Sequence, residues 1–181
     1  LARPTADHFI CGGVTAVVTG NCGGAEVDVP TFFKRLDSAG RSINVATLIG
    51  HNSVRAFVMG RDNRPPTTEE QLKMESLVEQ CMKDGAVGLS TGLIYVPGTY
   101  ATTEEVIGLA RAAAKHNGLY ASHIRNEESS VTQAIEEAIN IGRQANIPVQ
   151  ISHFKVGGKA NWGRSTETIS QIEAARKEGL D

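Results

Sequence analysis

The chain has 181 residues, of which 40% are hydrophobic and 21% are charged, and this composition is ordinary for a globular protein. Its 18 lysines and arginines stand against 20 aspartates and glutamates, a formal net charge of -2, so we expect no nucleic-acid partner. Because no apolar run approaches the roughly 20 residues of a membrane helix, we expect no membrane partner either.

Strand-like and helix-like segments alternate along the whole chain. The strand-like segments are short and apolar without polar alternation, as in a parallel sheet that is covered on both faces. In chain order, the predicted elements are a helix at Ala6–Cys11, a strand at Gly13–Gly20, a helix at Thr31–Ser38, a strand at Ile43–Gly50, a helix after Thr67, a strand at Ala86–Thr91, a helix after Thr102, a strand at Leu119–Ile124, a helix after Ser130, a strand at Pro148–Phe154 and a helix at Ser165–Lys177.

Three of these helices begin with a capping-box pattern, a Ser or Thr followed three residues later by Glu or Gln. The pairs are Thr67 with Glu70, Thr102 with Glu105, and Ser130 with Gln133. Gly85 and Gly118 follow the first two helices as predicted C-terminal caps. The alternation as a whole predicts a run of βα units in one α/β domain.

Two architectures are compatible with such a run, an open doubly wound sheet and a (β/α)8 barrel. The length favours the open sheet, since a complete barrel typically needs about 250 residues. The polar residues at the strand ends favour the barrel. The chain begins at Leu1 rather than at a methionine and ends at Asp181 directly after a predicted helix, so we expect it to be part of a longer protein.

The carboxyl ends of parallel strands form the ligand-binding side in both architectures. Two consecutive strands end in Ser-His, at His123 and His153, and a basic residue follows each histidine two positions later, Arg125 and Lys155. Neighbouring parallel strands in register would place the two imidazoles side by side. Imidazole is a common zinc ligand, and two imidazoles with a thiolate make a zinc site. The alternative is that each histidine is a structural polar residue of a barrel mouth.

The three cysteines are Cys11, Cys22 and Cys81, an odd number without a CxxC spacing. This pattern argues against a disulfide framework and predicts a reducing, cytoplasmic location. Cys22 ends the first predicted strand in a glycine-rich turn, where it is a candidate metal ligand. Its alternatives are a small buried side chain, a nucleophile with a histidine base, and part of a phosphate-binding loop, for which the lysine of a P-loop is missing. Cys11 and Cys81 are interpreted as buried helix residues.

Five segments in order carry a resemblance to a known family: VTAVVTGNCG, GHNSVRAFVMG, GAVGLSTGLIYVPGTYATTEEV, YASHIRNE and ISHFKVGGKANWG. Together they closely resemble the N-acyl-D-amino-acid deacylases (D-aminoacylases) of the amidohydrolase superfamily, from about Pro4 to Gly179. The resemblance implies a (β/α)8 metal-dependent hydrolase barrel that uses metal-activated water to cleave N-acyl-D-amino acids into a D-amino acid and a carboxylate. The small-molecule substrate is the partner that it implies.

The same resemblance implies that Cys22, His123 and His153 bind Zn2+. It places residues 1–181 in the central part of the barrel domain, about strands 2–6 of eight, with both ends truncated. A histidine pair of the form HxH should precede Leu1, and the general-base Asp should follow Asp181, so no catalytic residue is expected in this chain.

Three further side chains are implied or proposed as substrate-binding. Lys155 of the SHxK motif is implied to hold the substrate carboxylate, Tyr95 is positioned to donate its hydroxyl to it, and Arg125 faces the same mouth. The alternatives are an ion pair of Arg125 with Glu127 or Glu128, and a solvated Lys155. His51 directly follows the second predicted strand. Structural support of the barrel rim is at least as good an interpretation of it as metal binding.

Two other functions stay open from the sequence. A hydantoinase-like or dihydroorotase-like amidohydrolase is disfavoured because the fourth barrel strand ends in Ser90-Thr91-Gly92 instead of the lysine that such members carboxylate. A non-catalytic βα piece, inactive alone, or a flavin- or phosphate-binding βα protein is the alternative from another class. Acyl preference, the number of metals and the oligomeric state are not legible in the sequence.

Overall fold

The protein is described here by a computed structural model, which covers residues 5–181. Its helices are α1 (Asp7–Cys11), α2 (Val29–Ala39), α3 (His51–Met59), α4 (Thr68–Lys83), α5 (Thr103–Ala114), α6 (Val131–Ala145) and α7 (Ser165–Lys177). Its strands are β1 (Ala16–Thr19), β2 (Asn44–Thr47), β3 (Ile49–Gly50), β4 (Gly88–Gly92), β5 (Leu119–His123) and β6 (Val149–Ile151).

The strands follow one another in chain order, and every pair is parallel. β1 pairs with β2, and the second group runs β3-β4-β5-β6. Only Leu48 separates β2 from β3, so they act as one strand with β1 on one side and β4 on the other. An open doubly wound sheet reverses its strand order, whereas a (β/α)8 barrel does not. The predicted α/β barrel fold is therefore confirmed, and the length argument for an open sheet is wrong.

The sheet is curved, since its two edges meet at the carboxyl ends of the strands. Asn21, just after β1, donates a side-chain hydrogen bond to the hydroxyl of Ser152, just after β6, over 3.1 Å. A flat sheet would hold these edges about four strand spacings apart, or roughly 19 Å. The loops that follow β1 and β6 are therefore brought to the same mouth.

The apolar core lies between the sheet and the helices that cover its outer side. Ile49 of β3, Leu89 of β4 and Tyr120 of β5 are fully buried, and the cluster around them includes Val78 of α4 and Val106 of α5. Across the described ranges, every helix is too short or too polar to cross a bilayer.

The predicted helix caps are correct to different degrees. Thr67 and Glu70 form a complete capping box at α4. At α5 the Thr102 hydroxyl accepts from the Glu105 backbone N–H, but the Glu105 carboxylate is turned into the protein instead. At α6 the Ser130 hydroxyl makes no cap, so the third predicted box is wrong.

The glycine predicted to end each helix is correct after α4 but not after α5. Gly85 takes the left-handed conformation after α4, with φ 108°. After α5, Asn117 adopts that conformation, with φ 56°, and Gly118 does not. Asn tolerates this region because its short polar side chain bonds locally.

Helix α3 is absent from the sequence-based prediction. It begins directly at the end of β3, with Gly50 at the N-cap and no side-chain cap, so the usual start signal is missing. Its polar residues His51, Asn52 and Arg55 are buried, which inverts the pattern expected of an amphipathic surface helix.

Candidate metal centre

The turn after β1 places Cys22 at the mouth of the curved sheet. Gly20 and Gly23 have φ values of 77° and 79°, and Cys22 itself has φ 55°, a conformation that is uncommon for a residue with a Cβ. A Cβ on Gly23 would lie 2.2 Å from Asn52 Oδ1 and 2.6 Å from the Gly92 backbone nitrogen. The glycines flanking Cys22 therefore serve both the left-handed turn and close packing against the neighbouring strands.

Two serine hydroxyls hold this turn in place. The Gly23 backbone N–H donates to Ser90 Oγ over 3.1 Å, and Ser90 Oγ donates to the Gly20 carbonyl over 2.5 Å. The Ala25 N–H donates to Ser53 Oγ over 3.0 Å. These hydrogen bonds tie the turn that carries Cys22 to β4 and to α3.

His123 and His153 lie together, but not in the register that the repeated Ser-His motif suggests. Ser122 of β5 is level with Ile151 of β6, so the second motif is offset by one residue. His153 follows β6 with a left-handed φ of 40°, which turns its ring back toward β5. The two ring centroids are 4.2 Å apart with an edge-on arrangement of 71°.

The three predicted ligands form one cluster. One candidate ligand atom from each of Cys22, His123 and His153 lies within 4.8 Å of the others, and Cys22 Sγ is 3.9 Å from His153 Nε2. His123 Nδ1 is buried, and no group in residues 5–181 forms a hydrogen bond with it. A buried, unpaired imidazole nitrogen beside a thiol and a second imidazole fits the donor set of a zinc ion with one open position.

The carboxylate of Glu127 lies against the same histidines. Its Oε1 is 2.7 Å from His153 Nδ1 and 3.6 Å from His123 Nε2, and its Oε2 accepts a hydrogen bond from Lys155 Nζ over 2.5 Å. The sequence alone suggests Glu127 only as an ion-pair partner for Arg125. The one feature of the sequence that could have pointed to Glu127 is its position four residues after His123, in the loop that follows β5.

The titration of these groups is shifted by burial and by their mutual charges. Burial and the neighbouring His153 lower the pKa of His123, so its ring is held neutral, as a metal ligand requires. Burial and the Glu127 carboxylate raise the pKa of the Cys22 thiol, so the thiolate is unfavourable unless a cation balances it. Burial alone would raise the pKa of Glu127, but Lys155 and the two histidines lower it overall.

Tyr95 and Lys155 lie beside the cluster, whereas the Arg125 side chain is bonded elsewhere. The Tyr95 ring is 4.7 Å from that of His123 and half exposed. The Arg125 guanidinium donates to both carboxylate oxygens of Glu137, over 2.9 and 2.8 Å, and to the carbonyls of two loop residues. The predicted ion pair of Arg125 with Glu127 or Glu128 is thus wrong in its partner.

Asn52 is a second residue that the sequence analysis missed. Its side-chain amide donates to the Gly92 carbonyl over 3.1 Å and accepts from the Gly92 N–H over 3.3 Å. Asn52 therefore fixes the end of β4, from which the Tyr95 loop departs. The only sequence signal was its place in the GHN motif at a strand end.

His51 is part of a buried polar cluster and not of the metal-ligand set. Its side chain and that of Glu105 have no exposed area, and His51 Nε2 is 2.8 Å from Glu105 Oε1. Glu105 also pairs with the fully buried Arg55. The interpretation of His51 as structural support of the rim agrees with these contacts.

No protein-family model matches the chain, but individual proteins do. It is 41% identical to a D-aminoacylase of Alcaligenes xylosoxydans xylosoxydans, over 97% of this chain and 41% of that relative. A crystal structure of D-aminoacylase, described as defining a novel subset of amidohydrolases, superposes with a TM-score of 0.87 at 38% identity, over 93% of this chain and 40% of that one.

A second solved structure covers all of the chain. It is the N-acyl-D-glutamate deacylase from Bordetella bronchiseptica, complexed with zinc and a phosphonate mimic of the tetrahedral intermediate, with a TM-score of 0.94, 38% identity and 43% of its own length matched. The chain thus spans about two fifths of the length of the relatives that it matches.

Proposed function

We propose that this chain, a homologue of the D-aminoacylases of the amidohydrolase superfamily, supplies the central part of a zinc-dependent barrel hydrolase that cleaves N-acyl-D-amino acids. Residues 1–181 would be part of its barrel catalytic domain. The observation that carries the proposal is the convergence of Cys22, His123 and His153 within 4.8 Å. Homologues over nearly the whole chain support the substrate class.

Cys22, His123 and His153 would hold the zinc ion through one thiolate and two imidazoles. When bound in such a site, zinc lowers the pKa of its water and polarises a carbonyl. Three protein ligands would leave one coordination position of the ion for water or substrate, and the His153 side chain is 37% exposed. The mouth of the sheet therefore suits hydrolysis of a small substrate that reaches it from solution.

Lys155 and Tyr95 would bind the carboxylate of the substrate. The side chain of Lys155 is 56% exposed and its ammonium lies 3.4 Å from His153 Nδ1, so a carboxylate bound there would stand beside the metal ligands. Tyr95 presents its ring from the neighbouring loop. Arg125 stays a weaker candidate, since its guanidinium is engaged by Glu137 and by backbone carbonyls.

A hydantoinase-like member is not proposed, because β4 ends in Ser90, Thr91 and Gly92 and offers no lysine for carboxylation. The cytoplasm is the proposed location, since Cys11, Cys22 and Cys81 are all free thiols.

Metal analysis of the complete protein tests the zinc site. We expect Cys22→Ala and His153→Ala to lose most of the bound zinc, because each removes one of three protein ligands. Cys11→Ala is the matched control. Cys11, which is interpreted from the sequence as buried, is an exposed thiol outside the cluster, so that interpretation is wrong for Cys11. Unchanged zinc content in both ligand variants would overturn the site.

Stereospecific hydrolysis tests the substrate class. The complete protein should release D-amino acids from N-acetyl-D-amino acids and leave the L-enantiomers nearly untouched. Lys155→Met should raise KM for these substrates, since it removes the cation proposed to bind their carboxylate. Equal rates for both enantiomers would contradict the proposal.

The 181-residue chain assayed alone tests the role of the rest of the barrel. We propose that the general-base Asp and an HxH pair lie outside residues 1–181, so negligible turnover is expected even with zinc added. Turnover comparable to that of the complete protein would show instead that residues 1–181 contain every catalytic group.

A further inference from the structure

We propose that Glu127 is a positioning residue of the metal centre, which holds the His153 imidazole with one carboxylate oxygen and the Lys155 ammonium with the other. The inference rests on the proposed function, in which His153 binds zinc and Lys155 binds the substrate carboxylate. It assigns a role to a side chain that belongs to neither the ligand set nor the predicted substrate contacts.

His153 needs an external support for its ring. Its side chain is 37% exposed and it lies two residues beyond the end of β6, so neither burial nor the strand fixes the imidazole. Nε2 faces the Cys22 thiol over 3.9 Å. Nδ1 lies 2.7 Å from Glu127 Oε1, a close polar contact that is not aligned as a hydrogen bond, and 3.4 Å from Lys155 Nζ. In the tautomer that leaves Nε2 free for a metal, Nδ1 carries the proton and faces this carboxylate. A carboxylate in that place fixes the tautomer and raises the basicity of the ligand.

The other oxygen of Glu127 fixes Lys155. Lys155 Nζ donates to Glu127 Oε2 over 2.5 Å, although 56% of its side chain is exposed. A free lysine at the surface samples many rotamers, and ordering it costs side-chain entropy. The pairing with Glu127 meets part of that cost before substrate arrives and keeps the ammonium next to the ligand histidine.

Glu127 itself is held firmly enough to act in this way. Only 14% of its side chain is exposed, and its backbone carbonyl accepts a hydrogen bond from the Gly157 N–H over 2.6 Å. That bond ties the loop after β5 to the loop after β6. Glu127 therefore joins the loop that follows His123 of β5 to the loop that carries His153 and Lys155.

The simpler interpretation is an ordinary surface ion pair between Glu127 and Lys155. Such pairs contribute little to stability, and breaking one would leave zinc affinity unchanged. The two interpretations thus differ in a quantity that is measured without any turnover, the zinc dissociation constant.

The test compares Glu127→Gln and Glu127→Asp with Glu128→Gln in the complete protein. Glu128 is the adjacent, exposed carboxylate, so its substitution removes the same charge from the same loop. Zinc affinity is measured by competition with a chelator, the ligand field by the absorption of the cobalt-substituted protein, and folding by circular dichroism of the metal-free form.

We expect Glu127→Gln to weaken zinc binding about 10- to 100-fold and to change the cobalt spectrum, while Glu128→Gln leaves both unchanged. Glu127→Asp keeps the charge but shortens the side chain, so it should also weaken zinc binding. It provides the measurement if the Gln variant does not fold.

Wild-type zinc affinity in both Glu127 variants, with zinc lost in Cys22→Ala, would overturn this inference and leave the proposed function standing. Zinc retained in Cys22→Ala would overturn the proposed function and, with it, the inference.

Discussion

At the scale of single residues, a buried polar cluster lies between α3 and α5. It consists of the side chains of His51, Arg55 and Glu105, which have no exposed area. Arg55 also donates to the carbonyls of Asp62 and Arg64, so it links the loop after α3 to the same carboxylate. Burial would raise the pKa of Glu105, but the hydrogen bond and charge of His51, together with Arg55, lower it overall.

Substituting Glu105 by Gln should strongly destabilise the protein. The change leaves the Arg55 guanidinium buried without a counter-charge, a loss of about 3–5 kcal/mol. Urea unfolding at neutral pH measures it. Glu104→Gln is the control, since Glu104 is the exposed neighbour in the same first turn of α5; an equal loss in both variants would contradict the role of the buried pair.

The same pair makes stability dependent on acid pH. The pKa of Glu105 is lower in the folded protein than its unfolded value of about 4.3. Its contribution is therefore fully present above that value and is lost as the pH falls through the lower, folded pKa. We expect unfolding free energy to decline more steeply in acid for the wild type than for Glu105→Gln; parallel pH profiles would contradict this.

At the scale of elements, the turn that carries Cys22 depends on glycine at one position and not at its neighbour. Gly23 has φ 79° and no room for a Cβ, whereas nothing lies within 4 Å of a Cβ built on Gly24. In the GNCGG segment, Gly23 therefore cannot be replaced without strain, whereas Gly24 has room for a side chain.

Gly23→Ala should lose about 1–3 kcal/mol of unfolding free energy together with part of the bound zinc, because the turn must shift and carry Cys22 with it. Gly24→Ala should stay within about 0.5 kcal/mol of the wild type. Denaturant unfolding and metal analysis of the two variants check this, and zinc binding unaffected by Gly23→Ala would contradict it.

The helix caps show how far local sequence determines an element. The Thr67 box is complete because Glu70 is free to reach back to the Thr67 N–H. At α5 the residue in the same place, Glu105, is drawn into the buried cluster. At α6 the Ser130 N–H is bonded instead by Asn126 Oδ1, over 3.0 Å. The local pattern located all three helix starts, but tertiary contacts decided which side chains act as caps.

Thr67→Ala should therefore cost about 1 kcal/mol of stability, whereas Ser130→Ala should change it by less than about 0.5 kcal/mol. Thermal or urea unfolding of both variants is the measurement. A larger loss at Ser130 than at Thr67 would contradict the observed hydrogen bonds.

At the scale of the whole molecule, an apolar groove of about 350 Å3 lies along β6 and α7. Its lining includes Val149, Ile151 and Phe154 beside Ile169 and Ile172. Phe154 and Ile169 are 42% and 48% exposed. In the isolated 181-residue chain this groove should bind apolar molecules from solution.

Ile169→Glu should lower the fluorescence of a hydrophobic dye bound to that isolated chain, since it places a charge in the groove. Leu72→Glu is the control, because Leu72 is 59% exposed on α4 and does not line the groove. Equal dye binding by all three chains would show that the groove is not the binding surface.

The order of the βα units, the starts of α4, α5 and α6, and the three candidate ligands that the structure brings together were predicted from the sequence, because each depends on local pattern or on short motifs. The tertiary structure alone decided three other features: the one-residue offset between β5 and β6, the place of Glu127 between His153 and Lys155, and the partner of Arg125. Register, side-chain direction and the choice among several carboxylates arise from contacts between segments far apart in the chain, and no local pattern encodes them. By length, the 181 residues indicated a small open sheet, but they form a curved part of a barrel. The curvature brings together Asn21 and Ser152, which are 131 residues apart in the chain, and chain length carries no information about such a contact.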